Sequence, residues 1–298
     1  MRRAALIYNP TSGRRKHARV LDTVLATLRD GGFAVEPVPT SYAGEATVLA
    51  RGQAADGCEV VFSFGGDGTA REVAAGLLGT PAALGFLPGG TANVLSHGFG
   101  LPNDPVRAAA ELCTAPVRDF DVGLAGGQSG GPFLMQVSAG LDATILAALD
   151  LRLKRRLGKG AYVWQGLREW WRYGYPDLDI TADGKRLTAT FAAVANIPFY
   201  AGSYRLAPDA QPDNRRFDLV LFHGRGRLAT LGFAIDLFRG AHIRRRDVTV
   251  LRAEEIVLAG PAGAAAQVDG DLCAERLPLT VRLAPDSLKV LFPARRRS

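Results

Sequence analysis

The strongest constraint on this chain is an alternation that runs from Ala4 to Asn93. Short aliphatic runs, ended by Gly-, Asn- or Pro-marked turns, alternate with longer segments of helical periodicity. Ala4–Tyr8 reads as a buried strand, followed by Val20, Leu21, Val24, Leu25 and Leu28 on one helical face. Gly31-Gly32 stops that helix, Phe33–Val38 is a second strand and Ala43–Ala54 a second helix. Glu59–Phe64 is a third strand, with a helix opening near Thr69 and running to about Leu78, and Ala83–Leu87 is a fourth. Such alternation implies a parallel sheet with helices on its faces. Residues 1–120 are therefore expected to form an α/β domain built on a parallel sheet.

The pattern changes after about Phe120. Phe133–Ser138, Asp177–Thr181, Ala189–Ala195, Phe217–Phe222, Asp247–Leu251 and Glu255–Ala259 are short strand-like runs. Asp183-Gly184, Pro212-Asp213 and Asp269-Gly270 provide the punctuation expected of hairpins. One helical stretch, Ala143–Tyr173, interrupts them. Residues 121–285 are expected to form a mainly-β sandwich, with 286–298 a candidate to complete the first domain. A chain of 298 residues suits two domains of roughly 150 residues each.

Composition narrows the class further. At 47% apolar, the chain is neither disordered nor fibrous. Cys58, Cys113 and Cys273 are isolated, with no CxxC pair, which argues against a disulfide framework or structural zinc and for a cytoplasmic protein. Asn9-Pro10 cuts the first apolar run short of a signal peptide, and Val122–Leu141 is too rich in Gly, Ser and Gln for a transmembrane helix. The net charge of +7 calls for an anionic partner: nucleic acid, acidic lipid or nucleotide.

Gly65-Gly66-Asp67-Gly68-Thr69 falls where the third strand ends and a helix begins, the usual ligand edge of an open α/β sheet. Glycines there let the backbone approach a phosphate, and the helix N-terminus favours negative charge. Asp67 would then organise Mg²⁺ or accept a proton; an ordinary tight turn with Asp67 as helix cap is the alternative. Pro88-Gly89-Gly90-Thr91-Ala92-Asn93 follows the fourth strand, with Thr91 a candidate helix cap and phosphate ligand. Asn9-Pro10-Thr11-Ser12-Gly13 follows the first. Three such turns on one edge point to a nucleotide site, although GxxxxGK[ST] and GxGxxG are both absent.

In order and spacing, Asn9-Pro10-x-Ser12-Gly13, Gly65-Gly66-Asp67-Gly68-Thr69 and Pro88-x-Gly90-Thr91-x-Asn93 resemble the diacylglycerol kinase catalytic domain family, which includes bacterial lipid kinases and sphingosine kinases. Gly140-x-Asp142-Ala143, Asn196 to Gly202, Pro208-x-Ala210 with Asp213, and Asp269-Gly270-Asp271 extend the resemblance over essentially the whole chain. The resemblance implies a fold like that of NAD kinase and diacylglycerol kinase, an ATP- and Mg²⁺-dependent lipid kinase, and a cleft between nucleotide and lipid domains. It implies that Gly65, Gly66, Asp67, Gly68, Thr69 and Arg71 wrap the ATP phosphates, with Asn9, Thr40, Gly90, Thr91 and Asn93 beside them. By the same resemblance Asp271 lies where the family places its general base, Asp67 is the rival base and a Mg²⁺ organiser, and Asp213 or Asn214 falls near a structural metal site of bacterial members. Three residues depart from the family pattern: Asp271 stands for the usual Glu, Arg71 for a common Asn and Val94 for a frequent Asp. The shorter Asp271 loses about 1.5 Å of reach. An NAD or other small-molecule kinase of the same superfamily, and a catalytically inactive nucleotide-binding protein, are the alternatives.

The acceptor is then expected to be a diacylglycerol-like or sphingosine-like lipid, and no nucleic-acid partner is expected. Leu151-Arg152-Leu153-Lys154-Arg155-Arg156-Leu157-Gly158-Lys159 is densely basic, with Trp164, Trp170, Trp171, Tyr173 and Tyr175 close behind. Cationic and aromatic residues together suit an anionic membrane face, so peripheral contact with the inner membrane surface is expected. The alternatives are stacking on single-stranded nucleic acid and a solvated helix whose aromatics pack onto the β-domain. Arg295-Arg296-Arg297 would add charge to the same face or form a plain tail. Nothing in the sequence sets the oligomeric state.

Overall fold

The computed structural model describes residues 1–10, 16–127, 130–148 and 159–293. Strands β1 (Arg2–Tyr8), β2 (Phe33–Pro39), β3 (Val60–Gly65) and β4 (Ala83–Pro88) form where the apolar runs placed them. They pair in the order β2-β1-β3-β4, all parallel. Every residue of β3 and β4 is buried, the near-continuous apolar run demanded of a strand covered on both faces. Helices α1 (Lys16–Asp30), α2 (Glu45–Ala55) and α3 (Asp67–Leu77) supply the crossovers.

Two further helices follow: α4 (Val94–Phe99), expected after the second glycine turn, and α5 (Pro105–Cys113), which has no expectation behind it. The start of α5 is set locally: the Asp104 carboxylate accepts the Arg107 amide at 2.8 Å and Pro105 fills the first turn. The sheet continues past β4 with β20 (Leu288–Leu291), parallel to β4, and ends with β5 (Val117–Phe120), antiparallel to β20. Phe99 of α4 meets Phe86, Phe120 and Phe292 edge-on, so aromatic rings close this end of the core. One compact unit contains residues 1–122, 199–203 and 284–298; the other contains 123–198 and 204–283.

The second unit is a sandwich of two antiparallel sheets. One holds β10 (Lys185–Ala189), β9 (Leu178–Ala182), β16 (Glu255–Ala259), β19 (Leu279–Leu283), β6 (Gly123–Ala125) and β7 (Gly131–Phe133), in that order. The other holds β15 (Val248–Ala253), β14 (Phe217–Phe222), β11 (Phe191–Ala195), β8 (Gln136–Ala139), β17 (Ala266–Val268) and β18 (Asp271–Leu272). Their inner faces share one core, where Ile180, Ile256, Leu279 and Val281 meet Val137, Val194, Leu219 and Leu221, and Phe133 stacks on Phe217. Strands β12 (Phe199–Tyr200), in the first unit, and β13 (Tyr204–Arg205), in the second, are two residues each. Helices α6 (Leu141–Ala147), α7 (Lys159–Arg172) and α8 (Gly226–Phe238) complete the described elements, with a short 3₁₀ turn at His242–Arg244.

Hairpin chemistry works as read at two of three sites. Asp183-Gly184 and Asp269-Gly270 each close a two-residue hairpin with both residues at positive φ, as the twist of the flanking strands requires. Pro212-Asp213 does not: the following strand, β14, pairs with β11 and β15, so these residues lie in a loop. Phe133–Ser138 is not one strand either, because Leu134 and Met135 separate β7 from β8. The expected helix over 143–173 is described as α6 and α7, and 149–158 between them lies outside the described residues, as do 11–15, 128–129 and 294–298. That excludes Ser12, Gly13, the basic run from Arg152 to Arg156, and Arg295-Arg296-Arg297 from any structural account.

Candidate functional site

Because β1 to β4 are all parallel, their carboxyl ends lie on one sheet edge. That edge carries Asn9 after β1, Thr40 after β2, Gly65–Thr69 at the end of β3 and Gly89–Asn93 after β4. Thr40 is buried, with its amide and hydroxyl both directed to the Tyr8 carbonyl, at 2.9 and 3.4 Å. Asn93 is buried too, in the left-handed region (φ 46), and its side chain is bonded twice to Gly90. Thr91 is exposed and leaves the cap position of α4 to Asn93, so its expected capping role does not hold. Arg71 sits one turn into α3, half-buried.

Asp67 joins the two glycine turns. It is the first residue of α3, yet its carboxylate accepts the Val94 amide at 3.1 Å and the Leu95 amide at 3.0 Å, the first two amides of α4. It thus satisfies orphan donors of another helix as well as the first amide of its own. The turns also touch through backbone: the Gly89 amide donates to the Gly65 carbonyl, and a Cβ on Gly90 would stand 2.6 Å from the Gly66 Cα. Gly90 is therefore required by loop-to-loop contact. A Cβ on Gly68, by contrast, would meet nothing within 4 Å, so that part of the turn faces open space. Burial pushes the Asp67 carboxyl above the usual aspartate range, against the Leu95, Val94 and Asp67 amides and nearby His97, which favour its ionised form.

In the second unit the Asp269-Gly270-Asp271 turn carries two unlike carboxylates. Asp269 is buried and accepts three amides, from Leu134 at 2.8 Å, Met135 at 2.8 Å and Gln136 at 2.9 Å. The same segment is held from the other side by Asn196, whose amide group donates to the Leu134 carbonyl at 2.9 Å. This bracing is the physical reason β7 and β8 are separate strands. Asp271 is exposed at the start of β18.

A hydrogen-bonded chain runs from that turn to Asp142. The Gly270 amide donates to Gln267 Oε1 at 2.7 Å, Gln267 Nε2 donates to Ser138 Oγ at 2.9 Å, and the Ser138 hydroxyl donates to Asp142. Asp142 also accepts the Ala143 amide at 2.7 Å. Near it burial, and secondarily the Asp142 charge, push the Tyr173 hydroxyl up to about 12. Sequence reasoning placed Asp142 in a motif but missed Gln267; the available signal was a lone amide inside the apolar run Ala266-Gln267-Val268.

Asp213 is exposed in the loop before β14, and the neighbouring Asn214 side chain accepts the Arg216 amide at 3.0 Å. Among the described residues no three or more His, Cys, Asp or Glu side chains come together to hold a metal ion. Asp213 therefore belongs to no such side-chain cluster.

The description "Diacylglycerol kinase catalytic domain" matches residues 3–125, and "YegS C-terminal NAD kinase beta sandwich-like domain" matches 135–292, so the two matches cover most of both units. The chain belongs to the diacylglycerol kinase catalytic domain family. Members similar to it include a diacylglycerol kinase of Bacillus subtilis, 29% identical over 262 residues, covering 86% of this chain and 85% of that protein. A diacylglycerol kinase of Staphylococcus carnosus is 28% identical over 278 residues, covering 91% and 89%. A crystal structure of a diacylglycerol kinase from Bacillus anthracis superposes with a TM-score of 0.78 at 23% identity, over 97% of this chain and 96% of that one, which supports the fold. The family's two-domain fold, an α/β unit with antiparallel β-sheets beyond it, is the fold described above.

Proposed function

We propose that this family member is a lipid kinase that uses ATP with Mg²⁺ to phosphorylate the hydroxyl of a diacylglycerol-like or sphingosine-like acceptor. The observation that carries the reading is the pair of glycine turns locked together by Asp67 on the carboxyl edge of a parallel sheet. Such an edge, followed by the first turn of α3, offers backbone amides and a favourable helix dipole to phosphate oxygens. Mg²⁺ enters with ATP as part of the substrate and neutralises charge on the phosphate oxygens. Asn9, Thr40, Thr69, Thr91 and Arg71 are the side chains proposed to contact the nucleotide.

Both Asp67 oxygens accept α4 amides, so Asp67 is assigned to shaping the phosphate loops, with its Mg²⁺ contact made through the remaining lone pairs. Asp271 is assigned as the general base. The acceptor oxygen forms a bond to the γ-phosphorus as the bond to the ADP oxygen breaks, and Asp271 takes the hydroxyl proton. Peripheral contact with an anionic membrane accompanies this reading.

The test is phosphate transfer from ATP to diacylglycerol, sphingosine and NAD in parallel. Transfer to a lipid is expected; transfer to NAD alone would overturn the reading, and no transfer at all would favour an inactive nucleotide-binding protein. Asp271→Asn should lower turnover about 10²- to 10⁴-fold with an unchanged unfolding midpoint, because the residue is exposed. Asp271→Glu should retain activity.

A further inference from the structure

Helix α8 breaks the rule that the outer face of a surface helix is polar. Its inward residues Phe233 and Leu237 are buried, as expected. The opposite stripe is Leu228, Leu231, Ile235 and Phe238, all exposed, with Leu228 at 83%. These follow i, i+3, i+7, i+10 spacing, so they line one side of the helix. Helix α7 repeats the feature: Trp164, Leu167 and Trp171 are exposed at i, i+3, i+7.

The two helices meet at their ends. The Trp170 indole donates to the Arg227 carbonyl at 3.2 Å, Arg227 Nε donates to the Trp171 carbonyl at 3.0 Å, and the Arg227 guanidinium lies 4.0 Å from the Trp171 ring centre. The end of α7 is thereby fixed to the start of α8, and Tyr175 is tucked inward with its hydroxyl on the Trp170 carbonyl. The aromatics that follow the basic run therefore divide: Tyr175 packs inward, while Trp164 and Trp171 face out.

Arginine predominates at the edges of this apolar surface. Arg168 and Arg172 on α7, and Arg239, Arg244 and Arg246 beyond the end of α8, are exposed. Of the carboxylates nearby, Asp177 is paired with Arg225, Asp236 and Asp247 with Arg245, and the half-buried Glu169 accepts the neutral Gln165 amide at 3.1 Å, so cationic groups outnumber unpaired anionic ones. An apolar, Trp-bearing strip with an arginine rim has the composition of a monolayer-inserting interface, aromatic and aliphatic groups among the acyl chains and guanidinium groups at the phosphates. We propose that the joined outer faces of α7 and α8 form the docking surface by which this protein sits on an anionic bilayer. A second copy of the chain suits the surface less well, because a twofold contact would set one arginine rim against another. The inference deepens the reading that the acceptor is a lipid and rests on it for its biological sense, but vesicle binding is measured without turnover.

The experiment uses the full chain and sedimentation with phosphatidylcholine vesicles, with and without phosphatidylglycerol. Wild type should bind the anionic vesicles, more weakly as salt rises, and bind the neutral ones little. Leu228→Glu with Leu231→Glu should weaken that binding at least about tenfold, because two apolar anchors become like-charged with the lipid. Turnover of a short-chain acceptor dispersed as monomers should stay unchanged in the same variant. Both positions are exposed and lie near a helix N-terminus, where acidic residues are tolerated. Arg239→Glu with Arg244→Glu, which leaves the apolar stripe intact, should give the same loss and a shallower salt dependence. Unchanged vesicle binding in both variants overturns the proposal, as does an unchanged vesicle affinity with a loss of self-association in ultracentrifugation. Loss of short-chain turnover in wild type would instead overturn the kinase reading and leave the docking surface standing.

Discussion

Asp67 shows how a motif residue is used differently from what its motif suggests. Its partners are the Val94 and Leu95 amides, 27 and 28 residues away, and backbone amides have no signature in a sequence. The sequence singled out the residue; only folding could name what it holds. Asp67→Ala should destabilise the first unit by about 1–2 kcal/mol, the cost of stripping a helix start of its acceptor. Asp67→Asn should cost less, since burial already favours the uncharged carboxyl. The sign of the pH dependence follows from the raised value. The folded state holds the Asp67 proton more tightly than the unfolded one, so this group's contribution is full below the ordinary aspartate range, about pH 4, and is lost as pH rises through the raised value. Urea midpoints measured across that window should fall more steeply for wild type than for either variant; parallel curves would contradict the assignment.

At the level of elements, legibility followed burial. Strands β3 and β4, buried throughout and apolar but for Ser63, were readable to within a residue or two, and β14, together with the alternating β16, to the residue. What failed was held by long-range polar groups. The break between β7 and β8 depends on Asp269, which stands 133 to 135 residues from the amides it accepts. Asp269→Ala should leave three buried amides without acceptors and cost on the order of 3 kcal/mol, read as a lowered unfolding midpoint. Because Asp271 rides on the same turn, turnover should fall as well, with the loss in kcat rather than KM. Helix α8 was missed for a different reason. It is apolar on opposite faces, so no single-sided periodicity marks it, and the same property makes its outer stripe unusual in the folded protein.

At the scale of the whole molecule, the first sheet is not made by the first part of the chain alone. Strand β20 lies between β4 and β5, and Phe292 just beyond it packs on Phe99 and against the Arg118 guanidinium. Ending the chain at Asp286 should expose the flank of β4 and leave β5 without its neighbour. Hydrogen exchange should then speed up in β4 and β5 while the sandwich strands β11 and β14 keep their protection; equal protection of β4 with and without the segment would refute this. Two-domain organisation was legible in the switch from helical to hairpin patterning. Residues 199–203, which group with the first unit, were not, because a five-residue excursion leaves no trace in composition. The position of β20 also sets an order of events during synthesis. Leu84 finds its partner Val290 only after the entire β-sandwich has left the ribosome. The nucleotide-edge strands emerge first but are completed last, so the nascent α/β unit must wait with an open edge beside β4, a natural point for chaperone attention.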